Sequence, residues 1–245
     1  MAPHLLYIHV PKCGGTSFGS AVRLAYLNSQ ATIRLETSRR IREALYPDAE
    51  GVEKILREYE IRKIMLGELM LKRVQCISAH VHYSAGLHGA LDPERKIVTL
   101  LREPVARFLS HYAYVQRNHP DRDRPSTLEA FLESDSAKRF GSTYLLYFGG
   151  SYQHITNDFD SVMNTAQSNL DRFDLIGDLS RTAAFRKGLR KLVGRPLLNW
   201  ERNRRPGKTP SQARDIATNL RLRIEELCAP DIALYRYVQS LSTCV

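Results

Sequence analysis

Residues 5–18 read LLYIHVPKCGGTSF. An apolar run of strand length passes into a lysine, two glycines and two hydroxyls, and an apolar helix pattern follows. A strand, a loop and a helix start of this kind predict an α/β layer with an anion of phosphate or sulfate size at its first turn. Gly14 and Gly15 let the backbone approach such an anion with no Cβ in the way. The first N–H groups of the helix lack intrahelical partners, and its dipole favours negative charge there. Thr16 and Ser17 add hydroxyl donors, and Lys12 adds a mobile point charge. In a Walker A loop the lysine follows the last glycine; here Lys12 precedes both, so the loop is a relative of that motif and not a match. An ordinary glycine-bearing turn is the plainer reading. The register of Lys12, Thr16 and Ser17 behind a strand favours the anion site.

A second signal lies in the middle of the chain. Residues 96–101, KIVTLL, read as a buried strand. Arg102-Glu103-Pro104 ends it and opens a helix, with proline in the tolerated first turn. Val105, Phe108, Leu109 and Tyr112 share one face of that helix. Arg102 falls at the C-terminal end of a strand, where open α/β sheets bind ligands. Ser110, eight positions on, lies about two helical turns away, so the two can grip one phosphate. Glu103, beside the helix start, reads as an N-terminal dipole partner.

These two segments together resemble the nucleotide motifs of sulfotransferases that use 3′-phosphoadenosine 5′-phosphosulfate (PAPS). Lys12-Cys13-Gly14-Gly15-Thr16-Ser17-Phe18 is similar to their 5′-phosphosulfate loop, and Arg102 with Ser110 to their 3′-phosphate motif. The likeness is strongest to carbohydrate sulfotransferases of the heparan sulfate 2-O- and 6-O-type. The resemblance implies a P-loop-NTPase-like three-layer α/β fold, with a central parallel sheet flanked by helices, in a single sulfotransferase domain over 1–245. It implies PAPS as sulfuryl donor and PAP as product, with no metal. It also implies that a loop over 198–210 closes on the nucleotide through Arg204, Arg205 and Lys208.

Residues 74–83 read VQCISAHVHY, a short strand ending in two histidines. On a strand end, positions i and i+2 point the same way. The resemblance matches His80 by register to the catalytic base of the 2-O-enzymes, with His82 as fallback. The residue type suits that role, because an unperturbed imidazole titrates near neutrality. Lys12 is then the catalytic cation beside the transferred group. A structural histidine, or a metal pair, is the alternative for either ring; no carboxylate or cysteine at a usual spacing completes a ligand set.

Composition bounds the rest. At 245 residues the chain can bury a core without a second domain. Cys13, Cys76, Cys228 and Cys244 form no CxxC and read as reduced thiols. Cys13 sits where Lys12 and the helix start would lower its pKa, although a space-filling role is favoured. No signal peptide or transmembrane segment is evident, which predicts a cytoplasmic, bacterial enzyme. The net charge of +10 points to anionic ligands. A glycan or other hydroxyl-bearing acceptor, anionic for preference, suits it, and no nucleic-acid-binding pattern stands out.

Helical patterns at 38–46 and 52–59 predict an insertion over about 36–72. Arg39, Arg40 and Arg42 could there meet an anionic acceptor, or simply form a solvated face. Further helices are expected over 137–147, 180–193 and 230–238, one more from Ser211, and a capping-box start at Ser126-Thr127-Leu128-Glu129. A strand is expected over 173–178. Two rival functions stay open. A P-loop-like kinase would need ATP, Mg²⁺ and an acidic metal ligand. A non-catalytic binder of anionic polymers would depend on salt and not on Lys12 or His80.

Overall fold

The structure is a computed structural model that describes residues 2–118, 125, 127–150, 158–197 and 217–245. Alternation within strand β1 (Leu5–Ile8) sets its layering. Leu5 and Tyr7 pack into one core cluster, Leu6 and Ile8 into another, and all four are buried. Around β1 stand β2 (Gln30–Ala31), β3 (Cys76–Ala79), β4 (Lys96–Leu101) and β5 (Leu175–Asp178). The strand order is β2-β3-β1-β4-β5, with parallel pairing throughout. A parallel sheet buried on both faces explains the continuous apolar runs in the sequence.

In chain order the helices are α1 (Gly15–Leu24), α2 (Leu35–Leu45), α3 (Gly51–Leu71), α4 (Ala85–Leu91), α5 (Pro104–Asn118), α6 (Leu128–Leu132), α7 (Asp135–Gly141), α8 (Thr143–Gly149), α9 (Phe159–Leu170), α10 (Thr182–Val193), α11 (Thr218–Leu227) and α12 (Ala229–Ser240). Helices α1 and α10 cover one face of the sheet through Val22, Phe185, Leu189 and Val193. Helices α3, α8, α9 and α12 cover the other through Leu66, Phe148, Leu170 and Leu234. A third cluster, with Phe108, Phe131 and Ile224, joins α5, α6, α7 and α11. The three-layer arrangement expected from the sequence is what forms.

Register fixes the functional edge. Ile8 is level with Ala79 on β3 and Thr99 on β4, and Leu101 with Asp178 on β5. The strands therefore end together, with β1 between neighbours reached by chain running in opposite directions across the sheet. Such a switch point opens a crevice at the carboxyl ends of the strands.

Three local expectations are corrected, and one element, the short strand β2, carried no sequence signal. The single helix expected over 137–147 is two, α7 and α8, parted at Ser142. There Gly141 lies so close to α11 that a Cβ would meet the Leu227 carbonyl oxygen at 2.1 Å. The side chain of Asp231 then accepts the N–H groups of Tyr144 and Leu145 at the start of α8. The cap of α6 is Thr127, whose hydroxyl accepts the Ala130 N–H at 3.2 Å, one residue after the expected start. The helices of the insertion, α2 and α3, form as expected, but Arg42 is no free acceptor contact. It is 3% exposed and pairs with Glu58 of α3 at 3.5 Å and with Glu43 at 3.0 Å.

Two glycines separate crowding from propensity. Gly141→Ala should destabilise by about 1–3 kcal/mol, since its neighbour is rigid backbone. Gly89→Ala in α4, with nothing within 4 Å of its Cβ, should be neutral or stabilise by up to about 1 kcal/mol. Urea denaturation of both variants reads the difference; equal effects would contradict the tight α7–α11 approach.

Candidate active site

The loop after β1 turns on two left-handed residues. Lys12 has φ 67° and Gly14 has φ 72°. Gly14 adopts that conformation at no steric cost, whereas Lys12 is held in it against a preference of order 1–3 kcal/mol. Gly14 is the N-cap of α1 and makes no side-chain cap, and the first turn holds no acidic residue. A helix start of this kind suits an external anion.

Cations gather around it. The Lys12 ammonium lies 4.1 Å from the centroid of the Tyr114 ring. Arg102 Nη1 approaches the Lys12 carbonyl oxygen at 3.5 Å. On α5, Ser110, Tyr114 and Arg117 recur at i, i+4 and i+7 and so share a face. That face meets Lys12 through Tyr114. Burial, then the charges of Arg117 and Arg102, hold the Lys12 pKa below its ordinary value. No carboxylate pairs with Lys12, Arg102 or Arg117 among the described residues. Crowded cations with no counter-charge favour an anionic ligand.

The histidines occupy the adjacent strand ends. Because Ile8 is level with Ala79, His9 and His80 leave β1 and β3 side by side. Their rings stack with centroids 4.0 Å apart at 26°. A Cβ on Gly15 would lie 2.0 Å from the His9 ring, so that glycine lets α1 close onto His9. His80 Nδ1 is buried with no partner among the described residues. Burial, then the Arg62 charge, lowers its pKa to about 4, against a hydrogen bond to the His9 backbone that works the other way. Burial, then the charges of His80, Arg23 and Lys12, takes His9 to about 2. His82 lies near the same Arg62 as His80 but packs on a different ring. His82 stacks on Tyr59 at 3.7 Å, and its pKa falls to about 3 by burial and the Arg62 charge. His111 lies flat on Phe140 at 3.8 Å and is lowered to about 3 by burial, then the charges of Arg107, Lys12 and His80.

Other expected residues fall in varied places. Cys13 is fully buried, with Sγ 3.5 Å from the Tyr144 hydroxyl. Burial pushes its pKa up to about 11, which corrects the expected lowering and leaves its packing role. The Phe18 ring stands edge-on to Phe185 at 5.1 Å, anchoring α1 to α10. Ser17 lies in the first turn of α1, and so does Thr16 by its backbone. Glu103 accepts the N–H groups of Val105 at 2.9 Å and Ala106 at 2.7 Å, the helix-start role expected of it. Arg204, Arg205 and Lys208 lie outside the described residues. Sequence reasoning missed His9, His111, Tyr114 and Arg117. His9 alone left a trace, as a polar residue at the end of an apolar strand.

Among the described residues no cluster of three or more His, Cys, Asp or Glu could hold a metal ion, and no helix is long and apolar enough to cross a membrane. A family model described as the sulfotransferase domain matches residues 2–157. No curated protein matches the chain.

The buried rings make acid sensitivity a test of this geometry. His9, His80, His82 and His111 are neutral in the fold, and each takes a proton near pH 6.5 once unfolded. Their contribution to stability is complete above that value and is lost as pH falls through it toward the folded values. The melting temperature should fall steadily from about pH 7 to about pH 4, by the equivalent of roughly 1–3 kcal/mol per ring. The fall should be shallower in His80→Gln. A flat melting temperature across that range would mean that the rings are solvated.

Proposed function

Because the chain belongs to the sulfotransferase domain family, we propose that it transfers a sulfuryl group from PAPS to a hydroxyl of a glycan or similar acceptor, with His80 as general base. The observation that carries this reading is the convergence of Lys12, Arg102 and Arg117, unneutralised, on an uncapped helix start beside His80. The residues fit the donor. The glycine N-cap supplies no capping side chain at α1, Lys12 stands two residues before it, and a second cation, Arg102, follows the end of the neighbouring strand β4.

In this reading Lys12 and the N–H groups from Gly14 to Ser17 hold the phosphosulfate end. Arg102 and Ser110 hold the 3′-phosphate, and Arg204, Arg205 and Lys208 belong to the closing loop. PAPS supplies the sulfuryl group. The chain's own chemistry is proton removal and charge stabilisation. His80, unprotonated above about pH 4, accepts the acceptor proton on a ring nitrogen. Its proton affinity rises once ligand anions offset the surrounding cations. Lys12 and the helix start stabilise negative charge as it develops. His82 is the weaker candidate, since one face of its ring is covered by Tyr59.

A Mg²⁺-dependent kinase is less well served. The two carboxylates at the strand ends are engaged: Glu103 caps α5, and Asp178 accepts from Ser180 and Tyr235. The four cysteines are unpaired thiols, which supports a cytoplasmic setting.

Thermal-shift titration tests the donor. PAP should raise the melting temperature, ATP with Mg²⁺ should do so far less, and Arg102→Ala should lose the PAP effect. Transfer of labelled sulfate to a panel of polysaccharides should fall about 10²–10⁴-fold in His80→Ala with PAP binding retained. A larger shift with ATP and Mg²⁺, or full activity in His80→Ala, would overturn the donor or the base respectively.

A further inference from the structure

Helix α10 presents a cationic face that the active site does not use. Phe185, Leu189 and Val193 bury its inner side. Arg186, Lys187, Arg190 and Lys191 line the outer side, and Arg195 follows beyond Gly194. Together they border a groove of about 540 Å³. Arg195 is fixed: it donates to the Ala25 carbonyl oxygen at 2.7 Å, with its guanidinium 5.4 Å from the centroid of the Tyr26 ring.

None of the four helix cations pairs with a carboxylate among the described residues. Other surface cations do. Arg39 pairs with Glu36, Arg57 with Glu53 and Glu60, Lys138 with Asp135 and Arg221 with Glu225. Like charges at i,i+4 oppose helix formation, so the stripe is a local cost that a bound polyanion would relieve.

Its placement is directional. Asp178 is level with Leu101, and α10 begins four residues later. Helix α10 thus starts at the sheet edge that carries Lys12 and Arg102, and its first cation, Arg186, stands one turn further on. From Arg186 to Lys191 the helix cations span about 8 Å along the flank. Successive pairs of cations, one helical turn apart, match a linear ligand with regularly repeated negative groups. The groove lining holds no aromatic residue on which bases could stack, and Tyr26 is buried under Arg195. We propose that the outer face of α10 binds a linear anionic polysaccharide, bearing sulfate or uronate groups, that extends from the active site. As an acceptor assignment this rests on the sulfotransferase reading above; as a binding site it does not.

Heparin serves as probe. Its affinity would be measured over a range of salt for wild type, for the triple variant Lys187→Ser, Arg190→Ser, Lys191→Ser, and for an equally discharged control, Arg34→Ser, Lys54→Ser, Lys63→Ser. The stripe variant should lose about tenfold or more in affinity, with a flatter salt dependence, while the control stays within about twofold of wild type. PAP thermal shifts in both variants should equal wild type, which shows that fold and nucleotide site are intact. Equal losses in the two variants, no heparin binding, or duplex DNA competing as well as heparin would each overturn the proposal. Loss confined to the stripe variant in a protein that shows no PAP shift would sustain the binding site and sink the sulfotransferase reading instead.

Discussion

The candidate active site hangs on one buried hydroxyl. Tyr144 accepts the Arg102 N–H at 2.9 Å, donates to the Arg102 carbonyl oxygen, and stands 3.5 Å from Cys13 Sγ. It therefore fixes Arg102 by its main chain, leaving the guanidinium for other work, and sets that main chain against the anion loop. Tyr144 is in turn held from behind. Its N–H donates to Asp231 at 2.9 Å, and Asp231 pairs with fully buried Arg107 at 3.5 Å. Burial outweighs Arg107 and raises the Asp231 pKa to about 7, so this carboxylate is an expensive group to place here. It is tolerated because it caps α8 and neutralises Arg107 at once. The end of β4, the loop after β1 and the C-terminal helix α12 are thus one polar unit inside an apolar layer.

The histidine pair shows how such a frame sets the environment of a buried ring. Gly15 lets α1 lie against His9, and His9 lies against His80. The start of α1 is in this way joined to the His80 ring through His9. From the other side the insertion contributes Arg62, held by Ser38 at 3.0 Å and Glu58 at 2.9 Å. Its charge, with burial, keeps His80 neutral. A neutral ring in a cationic field gains proton affinity when anions offset the surrounding positive charge.

Much of this was legible in the sequence, for reasons that can be named. Residues 96–101 formed the strand expected of a continuous apolar run, and Glu103 took the helix-start role that its position beside Pro104 implied. Lys12 and Arg102, picked out by motif spacing, stand close together because each follows the end of a neighbouring strand. What escaped depends on distant partners. The break at Ser142 is imposed by Leu227 and Asp231, far along the chain. The His9–His80 stack follows from the register of β1 against β3, which no local pattern encodes. Arg42 read as a surface arginine because Glu58, its partner, lies on the next helix. The two residues of β2 are too few for any periodicity to show.

The surplus of positive charge also divides by cause. Arg95 is 1% exposed and donates to the carbonyl oxygens of Leu5 and Val74 at 3.1 and 2.8 Å, tying the starts of β1 and β3 to Asp92. Arg42, Arg62 and Arg107 are likewise buried and paired. These arginines answer structural needs and say nothing about ligands. Lys12, Arg102 and Arg117 converge on the helix start, where a small anion can satisfy them together. The cations of α10 are of neither kind. They are spread along a line, so no small ion can neutralise more than two at a time, and their helix holds no interleaved carboxylate to do it. Charge laid out in a row, at the pitch of a helix, is satisfied by a ligand that is itself long and repeatedly charged.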